Sequence, residues 1–388
     1  MRAVVRVMPK DFSVKPEQMK NKRLVALDVF RGATMMLMIL VNTPGSWAYV
    51  YPPFRHAEWH GLTLTDLVFP FSMWIVGVSM YLSMHRRLEP NGSSVGQMRR
   101  LWNRAFKIFM IGVFLRAFPF VDLDYNTFRI FGVLQRIGLA YGIAGTMILL
   151  LSRKKLIISA LLILFGYWGV LLYFGGTDPF GLHENAVRLL DMKVLGEGHM
   201  WHGHKIAFDP EGLLSTFPSV VTILLGYFAA RLIKENKELR KAINLLLRYG
   251  FIGMGMGLLW GIVFPINKAL WTSSYVLLTA GIAAIILSIL LWVIDVRGLR
   301  KWTIPFQIFG KNAILGFILS GLIVKTMLKI KWVDDVGTNW SGYSWIFKKG
   351  YAPIFGDMNG SLLFALTNVG IVGLILWFFW LKKIFLRV

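Results

Sequence analysis

The sequence predicts an all-α fold: a polytopic bundle embedded in a membrane, with about ten transmembrane helices and both termini cytoplasmic. Three observations support this. The 388 residues are 56% hydrophobic and only 16% charged, whereas soluble domains run nearer ~45–50% apolar and ~25% charged; mean hydropathy is +0.57. Apolar stretches recur that reach the ~20 residues needed to cross a bilayer. The basic residues fall in short clusters between those stretches, which is the positive-inside pattern.

The spans follow in order. A polar, basic stretch, 1–23, reads as a cytoplasmic tail, without the early apolar run and cleavage site of a signal peptide. Residues 24–388 then read as one transmembrane domain. Its spans are Leu24–Val41, Asp66–Met84, Leu101–Phe118, Arg129–Leu151, Leu156–Phe174, Leu213–Ile233, Tyr249–Phe264, Ser273–Ile294, Phe306–Leu328 and Ser361–Leu381. The seventh is short and rich in glycine. Of the 43 Lys and Arg, 28 fall in one set of flanks: the two tails and the loops Arg86–Lys107, Arg153–Lys155, Arg231–Arg248 and Arg297–Lys301. That set is taken as cytoplasmic. Outward loops then lie near 43–65, 175–212 and 329–360, and the last two are long enough to suggest function. His56, His60, His183, His199, His202 and His204 all fall outward, and only His85 falls inward.

Composition also excludes. The net charge of +23 is not a nucleic-acid signal, because the cations sit between apolar spans. No cysteine is present, so there is no disulfide, thiol nucleophile or thiolate metal site. There is no P-loop, no GxSxG elbow and no dinucleotide fingerprint. No internal repeat of the transporter kind is visible.

The stretch Arg55–Pro70 is the densest in chemistry. Titratable groups at a membrane boundary are costly unless something uses them. His56 is either a solvated loop histidine or a base or nucleophile, since imidazole titrates near neutral pH. Asp66 opens the next span; it either orients the imidazole or favours the helix N-terminus. Asn42 ends the first span and is a terminal residue or a hydrogen-bond donor to a reacting carbonyl. Asp28 and Arg31 share a helix face and can pair. Arg136 lies ~10 Å into the fourth span, where a cation faces a cavity or a partner. His199-Met200-Trp201-His202-Gly203-His204 lacks the helical spacing of a zinc site, so no metal is expected. Asp209-Pro210-Glu211-Gly212 offers two carboxylates or a helix start. Gly310-Lys311-Asn312 reads as a basic, small-residue helix N-terminus at the cytoplasmic start of the ninth span, suited to an anion. Outward aromatics such as Trp47, Trp59, Trp201 and Trp345 form an interfacial belt or stack on sugars.

Several of these segments together resemble the heparan-α-glucosaminide N-acetyltransferase family, including its bacterial membrane relatives. They are Asp28-Val29-Phe30-Arg31-Gly32 with Val41-Asn42, His56-Ala57, Trp59, Gly61-Leu62-Thr63 and Asp66-Leu67-Val68-Phe69-Pro70. Then come Arg129 with Gly132-Val133-Leu134-Gln135-Arg136, Leu195-Gly196 with His199, and Asp209-Pro210-Glu211-Gly212. Asn267-Lys268, Leu270-Trp271 and Ser274-Tyr275 close the set. The matches run in order from about residue 24 to 320; Lys329–Gly360 does not align.

The resemblance implies an acetyltransferase that takes acetyl-CoA from the cytoplasm and N-acetylates a glucosamine-type sugar on the far side of the membrane. It makes His56, Asn42 and Asp66 the expected catalytic residues. Trp59, His199, Asp209 and Glu211 are expected at the acceptor. Arg31, Arg129, Gln135, Arg136, Trp271, Ser274, Lys311 and Asn312 are expected around the acetyl-CoA. The short chain before the first span and the longer spacing from Asn42 to His56 favour a bacterial amino sugar or envelope glycan over heparan sulfate. The expected setting is a bacterial inner membrane. Expected partners are acetyl-CoA, the acceptor glycan, lipid and a second copy of the chain, with no nucleic acid. The competing reading is a sugar or glycan transporter or flippase with His56 as a proton relay.

Overall fold

The structure is a computed structural model that describes residues 24–87, 94–121 and 123–386. The expected tail 1–23 and Arg387 lie outside the described residues, as do the side chains of His85, Arg86 and Arg87.

Helix α1 is Val25–Asn42, α2 Leu64–Arg87, α3 Ser94–Ala117, α4 Val133–Leu150 and α5 Arg153–Phe174. A short α6, Ala186–Leu195, sits in the loop before α7, Thr216–Glu235. Then come α8, Leu239–Trp260, and α9, Ser273–Leu290, which continues as a π turn over Leu291–Val296. Helices α10, Ile304–Lys311, and α11, Ala313–Lys329, meet at Asn312. Strands β1, Lys331–Val333, and β2, Asn339–Ser341, form an antiparallel hairpin with Trp332 opposite Trp340. Short helices α12, Gly342–Trp345, and α13, Ala352–Phe355, lead to α14, Asp357–Leu381.

The chain is a multi-pass helical membrane protein. Eight helices are long and apolar enough to cross a bilayer, or nine spans if the α10–α11 pair, bent by 73°, counts as one. The expected ten are therefore not all matched among the described residues. The shortfall is α3. It is a 24-residue helix, but Arg99, Arg100, Arg104, Lys107 and Arg116 run along it, and cations at that density make poor lipid contact.

Three boundaries differ from expectation for physical reasons. The fourth span begins at Val133 and not at Arg129, whose side chain is drawn into a buried ion pair outside the helix. The seventh is 22 residues, Leu239–Trp260, because its glycines let it pack tightly and do not weaken it. A Cβ at Gly257 would lie 2.5 Å from the backbone nitrogen of Leu278 on α9. The ninth breaks at Asn312, whose amide nitrogen donates to the Ile384 carbonyl at 3.1 Å while its oxygen accepts from the Leu386 amide at 3.1 Å. The two long loops expected on the outer side are not structureless either: they hold α6 and the β1–β2 hairpin.

Helices α2, α7 and α1 are innermost, with 72, 67 and 61% of each span buried, whereas α5 and α8, at 28% each, face outward. Small residues permit the inner contacts. A Cβ on Gly77 of α2 would sit 1.9 Å from the Ile223 carbonyl, and one on Gly226 of α7 would sit 1.9 Å from the Trp74 carbonyl. The two backbones touch where bulkier residues would separate them, as membrane helices often require. This rigid inner pair holds the N-terminal ends of α2 and α7, and both ends carry the polar site.

Candidate active site

The site is built on the first turn of α2. Thr63 precedes the helix and Asp66 is its first acidic residue. The Asp66 carboxylate reaches back to the chain before it: Oδ2 accepts from the Thr63 amide at 3.1 Å, the Thr63 hydroxyl at 2.9 Å and the Ala57 amide at 3.0 Å. This is half of a capping box, and it folds the 55–63 loop over the helix end. Asp66 is 1% exposed.

Its other oxygen meets His56. Nδ1 of His56 and Oδ1 of Asp66 are 2.6 Å apart. With Nδ1–H donating to the carboxylate, Nε2 keeps its lone pair and points away from Asp66. The His56 side chain is 45% exposed, so that lone pair is reachable. A third group completes the cluster. Lys268 Nζ lies 3.4 Å from Asp66 Oδ1 and 3.0 and 3.5 Å from the two ring nitrogens of His56. Burial presses Lys268 below the usual lysine range, opposed by the carboxylates of Asp66 and Glu211.

Lys268 is delivered by the turn between α8 and α9. The Ile266 carbonyl accepts from the Gly61 amide at 2.8 Å, and the Asn267 side chain donates to the Trp59 carbonyl at 2.9 Å. Trp271 then takes a left-handed φ of 53° and is locked by its indole N–H on the Thr222 hydroxyl at 3.1 Å. Such a backbone costs energy for a non-glycine residue and persists only where its surroundings fix it. Tyr275 of α9 donates its hydroxyl to the Asp66 carbonyl at 2.6 Å. Two chain segments more than 200 residues apart are thereby clamped into one cluster.

A second polar cluster adjoins it. Arg129 grips Asp209 with two bonds, 2.8 and 2.7 Å, and reaches Glu211 at 2.5 Å. The fork geometry suits a guanidinium and a carboxylate. Asp209 is fully buried. Burial alone would lower the Arg129 pKa; the two carboxylates outweigh it and hold the charge firmly.

The family described as "Heparan-alpha-glucosaminide N-acetyltransferase, catalytic" matches residues 23–260 of this chain. Among curated proteins, heparan-alpha-glucosaminide N-acetyltransferase from Homo sapiens is 31% identical over 373 residues, covering 81% of this chain and 55% of that protein. The protein of the same name from Mus musculus is 30% identical over 364 residues, covering 79% of this chain and 55% of its own length. This chain belongs to the heparan-α-glucosaminide N-acetyltransferase family. It spans about half the length of the curated relatives it matches. The family match ends before Lys268, so the turn that completes the His56 cluster lies beyond it.

Within this family member the expected site residues divide into groups. His56 and Asp66 are together. Asn42 is not bonded to them: its amide nitrogen donates to the Met38 carbonyl at 2.9 Å, one turn back on its own helix. Trp59 is held by its indole N–H on the Phe180 carbonyl at 2.8 Å and packs edge-on against His204 and Phe208, so only part of its ring is open. His199 Nδ1 lies 2.8 Å from the Phe128 carbonyl and pins the two outer loops together. Asp209 and Glu211, expected to meet an acceptor, are largely taken up by Arg129.

The residues expected around acetyl-CoA fall at two opposite ends of the bundle. Arg31 pairs with Asp28 at 3.6 Å and donates to Ser79 at 2.6 Å, while Lys311 lies 5.7 Å over the Trp380 ring. Gly310 packs on the Asp28 carbonyl, which places Lys311 and Asn312 beside the N-terminal end of α1. From Asp28 to Asn42 is ~21 Å along the helix. Lys311 is the last residue of α10 and Asn312 the N-cap of α11, so the pair does stand at a helix start. Arg129, Gln135, Arg136, Trp271 and Ser274 lie at the other end, near His56. Arg136 is fully buried, bonded to Ser215 and to the Gly212 carbonyl at 3.3 Å, with Trp271 5.2 Å from its guanidinium. Its Nε and Nη1 have no hydrogen-bond partner. Gln135 fills the space beside Gly112 and Gly132. Ser274 donates to the Phe264 carbonyl at 2.6 Å and stabilises the turn.

Lys268, Asn267 and Tyr275 were not among the expected site residues. Two sequence signals point to Lys268: Asn267-Lys268 lies in a segment that carries the family resemblance, and Lys268 is the single charged side chain in the polar interruption Pro265–Thr272 between two apolar spans.

Asp191 on α6 is fully buried and takes one bond, from the Leu213 amide at 2.9 Å, with its second oxygen unpartnered. Burial lifts its pKa to about 7. The unfolded chain loses that proton near pH ~4, so between ~4 and ~7 the folded state binds the extra proton and stability falls as pH rises, by ~1.4 kcal/mol per pH unit. Asp191→Asn is expected to remove this slope. Unfolding in detergent followed at pH 5 and pH 8 checks it, and an unchanged slope would count against the assignment.

Proposed function

We propose that this protein transfers an acetyl group from acetyl-CoA on the cytoplasmic side to the amine of a glucosamine-type sugar on the outer side, with the N-terminus cytoplasmic. The relatives' names supply the reaction class. The single observation that carries the assignment to a site is the 2.6 Å pair of His56 and Asp66, which leaves Nε2 without a carboxylate partner and 3.5 Å from Lys268 Nζ.

The chemistry follows from those three groups. Asp66 holds the imidazole in the tautomer with a basic Nε2. As the sugar nitrogen attacks the acetyl carbonyl carbon, Nε2 takes the amine proton. The C–N bond forms, the C–S bond breaks, and the departing CoA thiolate receives the proton back from the imidazolium. Lys268 lies where its positive charge offsets the negative charge gathering on the carbonyl oxygen. Asn42, directly after the buried Val41 at the end of α1, has one amide N–H beyond its bond to Met38 to offer a substrate. Arg31 and Lys311, at the far end, suit the nucleotide phosphates of a donor entering from the cytoplasm.

The absence of cysteine makes the test direct. A thiol reagent added to the purified protein reads only CoA released. Free thiol is expected to accumulate when both acetyl-CoA and glucosamine are present. No release with both substrates would end the proposal, and a stoichiometric burst with acetyl-CoA alone would replace the base role by an acetyl-histidine.

A further inference from the structure

Lys268 is an amine placed where the reaction takes amines. The turn that carries it is fixed at the backbone. Asn267 is fully buried: its side-chain oxygen accepts from the Leu270 amide at 2.8 Å, and its own amide donates to the Thr272 hydroxyl at 3.1 Å. The lysine side chain leaving this turn is held less closely. Nδ1 of His56 gives its hydrogen to Asp66 and cannot also accept from Nζ. Within the cluster Nζ then faces two acceptors, Asp66 Oδ1 at 3.4 Å and His56 Nε2 at 3.5 Å. Both contacts exceed the ~2.7–2.9 Å of a close charged hydrogen bond. The Lys268 side chain is 23% exposed and that of His56 45%, so a molecule that reaches Nε2 also meets Nζ.

These are the requirements for an acceptor. In the reading above, a sugar amine gives a proton to Nε2 and attacks an acetyl carbonyl carbon. An amine on a flexible four-carbon stem has the reach to do the same. Burial favours the neutral, nucleophilic form of Lys268, against the opposing charges of Asp66 and Glu211.

We propose that Lys268 is a self-acetylation site: when no sugar occupies the site, acetyl-CoA modifies Nζ and the enzyme stops. The inference rests on the acetyl-transfer reading above and names a second acceptor for the same donor. Of the three ammonium hydrogens, one goes to Nε2 and on to water. The freed lone pair forms the N–C bond to the acetyl carbon, and the C–S bond breaks. The departing CoA thiolate takes the second hydrogen, and the third stays on the amide. The product is neutral, so the cation beside Asp66 and the forming oxyanion is lost. Its acetyl group also fills the space next to Nε2. An amide, unlike an acetyl-imidazole, is not discharged by a sugar amine or by hydroxylamine, so the modification is a dead end. Sugar and self-modification therefore compete for one place.

The test follows the full chain in detergent with isotope-labelled acetyl-CoA and peptide mass spectrometry. Without sugar, Lys268 is expected to label stoichiometrically, with turnover lost in step. It should label at least about tenfold faster than the exposed Lys154 and Lys205. Glucosamine should protect Lys268 and leave the other two unchanged. His56→Ala should slow Lys268 labelling by about tenfold or more, again without touching the reference lysines. Lys268 labelled no faster than Lys154 and Lys205, or equally fast in His56→Ala, overturns the proposal. So does label that hydroxylamine removes, which would place the acetyl on His56. The acetyl-transfer reading fails separately. Thiol release with glucosamine while Lys268 stays unlabelled keeps sugar transfer and removes self-acetylation. A labelled Lys268 with no N-acetylated sugar keeps self-acetylation and removes the sugar as acceptor.

Discussion

Replacing His56 by alanine will lower acetyl transfer by ~10²–10⁴-fold, the range that a positioned proton-transfer group contributes. The fold should survive, because the side chain is 45% exposed and its partner Asp66 keeps bonds from Ala57 and Thr63. Loss of turnover with an unchanged melting temperature is therefore the expected pair of results. Asp66→Asn should lose comparable activity by a different route, since an amide no longer fixes the tautomer with a free Nε2. That variant should also lose stability, because one of its two ends can no longer accept the bonds the carboxylate accepts. A His56→Ala protein that turns over normally would mean that the 2.6 Å pair only caps α2.

Arg129→Ala will be among the most destabilising single changes in the molecule, by ~3–5 kcal/mol. Asp209 is fully buried and its two oxygens face Arg129, so truncation strands a charge away from water. Arg129→Lys should fall between, since an ammonium cannot reproduce the two-pronged contact. Adding Asp209→Asn to Arg129→Ala removes the stranded charge and should recover part of the loss, a coupling that a double-mutant cycle measures. Thermal or denaturant unfolding in detergent gives all three values. Equal stability of wild type and Arg129→Ala would show that Asp209 is protonated or hydrated.

Much of this was legible in the sequence because it is local. Apolar runs gave most of the spans, since backbone groups in lipid must be satisfied within a helix. Thr63 and Asp66 sit at capping spacing, and His56 is near enough in sequence to fold back on them. What escaped is non-local. Lys268 meets His56 across 212 residues and Arg129 meets Asp209 across 80, and no spacing rule links such positions. The misjudged spans share a cause as well. Hydropathy weighs charge and glycine without knowing the partner, so α3 read as more apolar than it is, and α8 read as too short. Residues expected in one donor site were grouped by chemistry alone, and the bundle separates Arg31 and Lys311 from Arg136 and Trp271.

The central claim is that His56 serves as the base for transfer to a sugar amine of an acetyl group supplied from the opposite side of a membrane. Sealed proteoliposomes with glucosamine trapped on the His56 side and radiolabelled acetyl-CoA added on the other side test it most directly. Labelled N-acetylglucosamine should accumulate with the trapped sugar in wild-type vesicles and be absent with His56→Ala. Equal label in both preparations, or transfer only when donor and sugar share one side, would contradict the account.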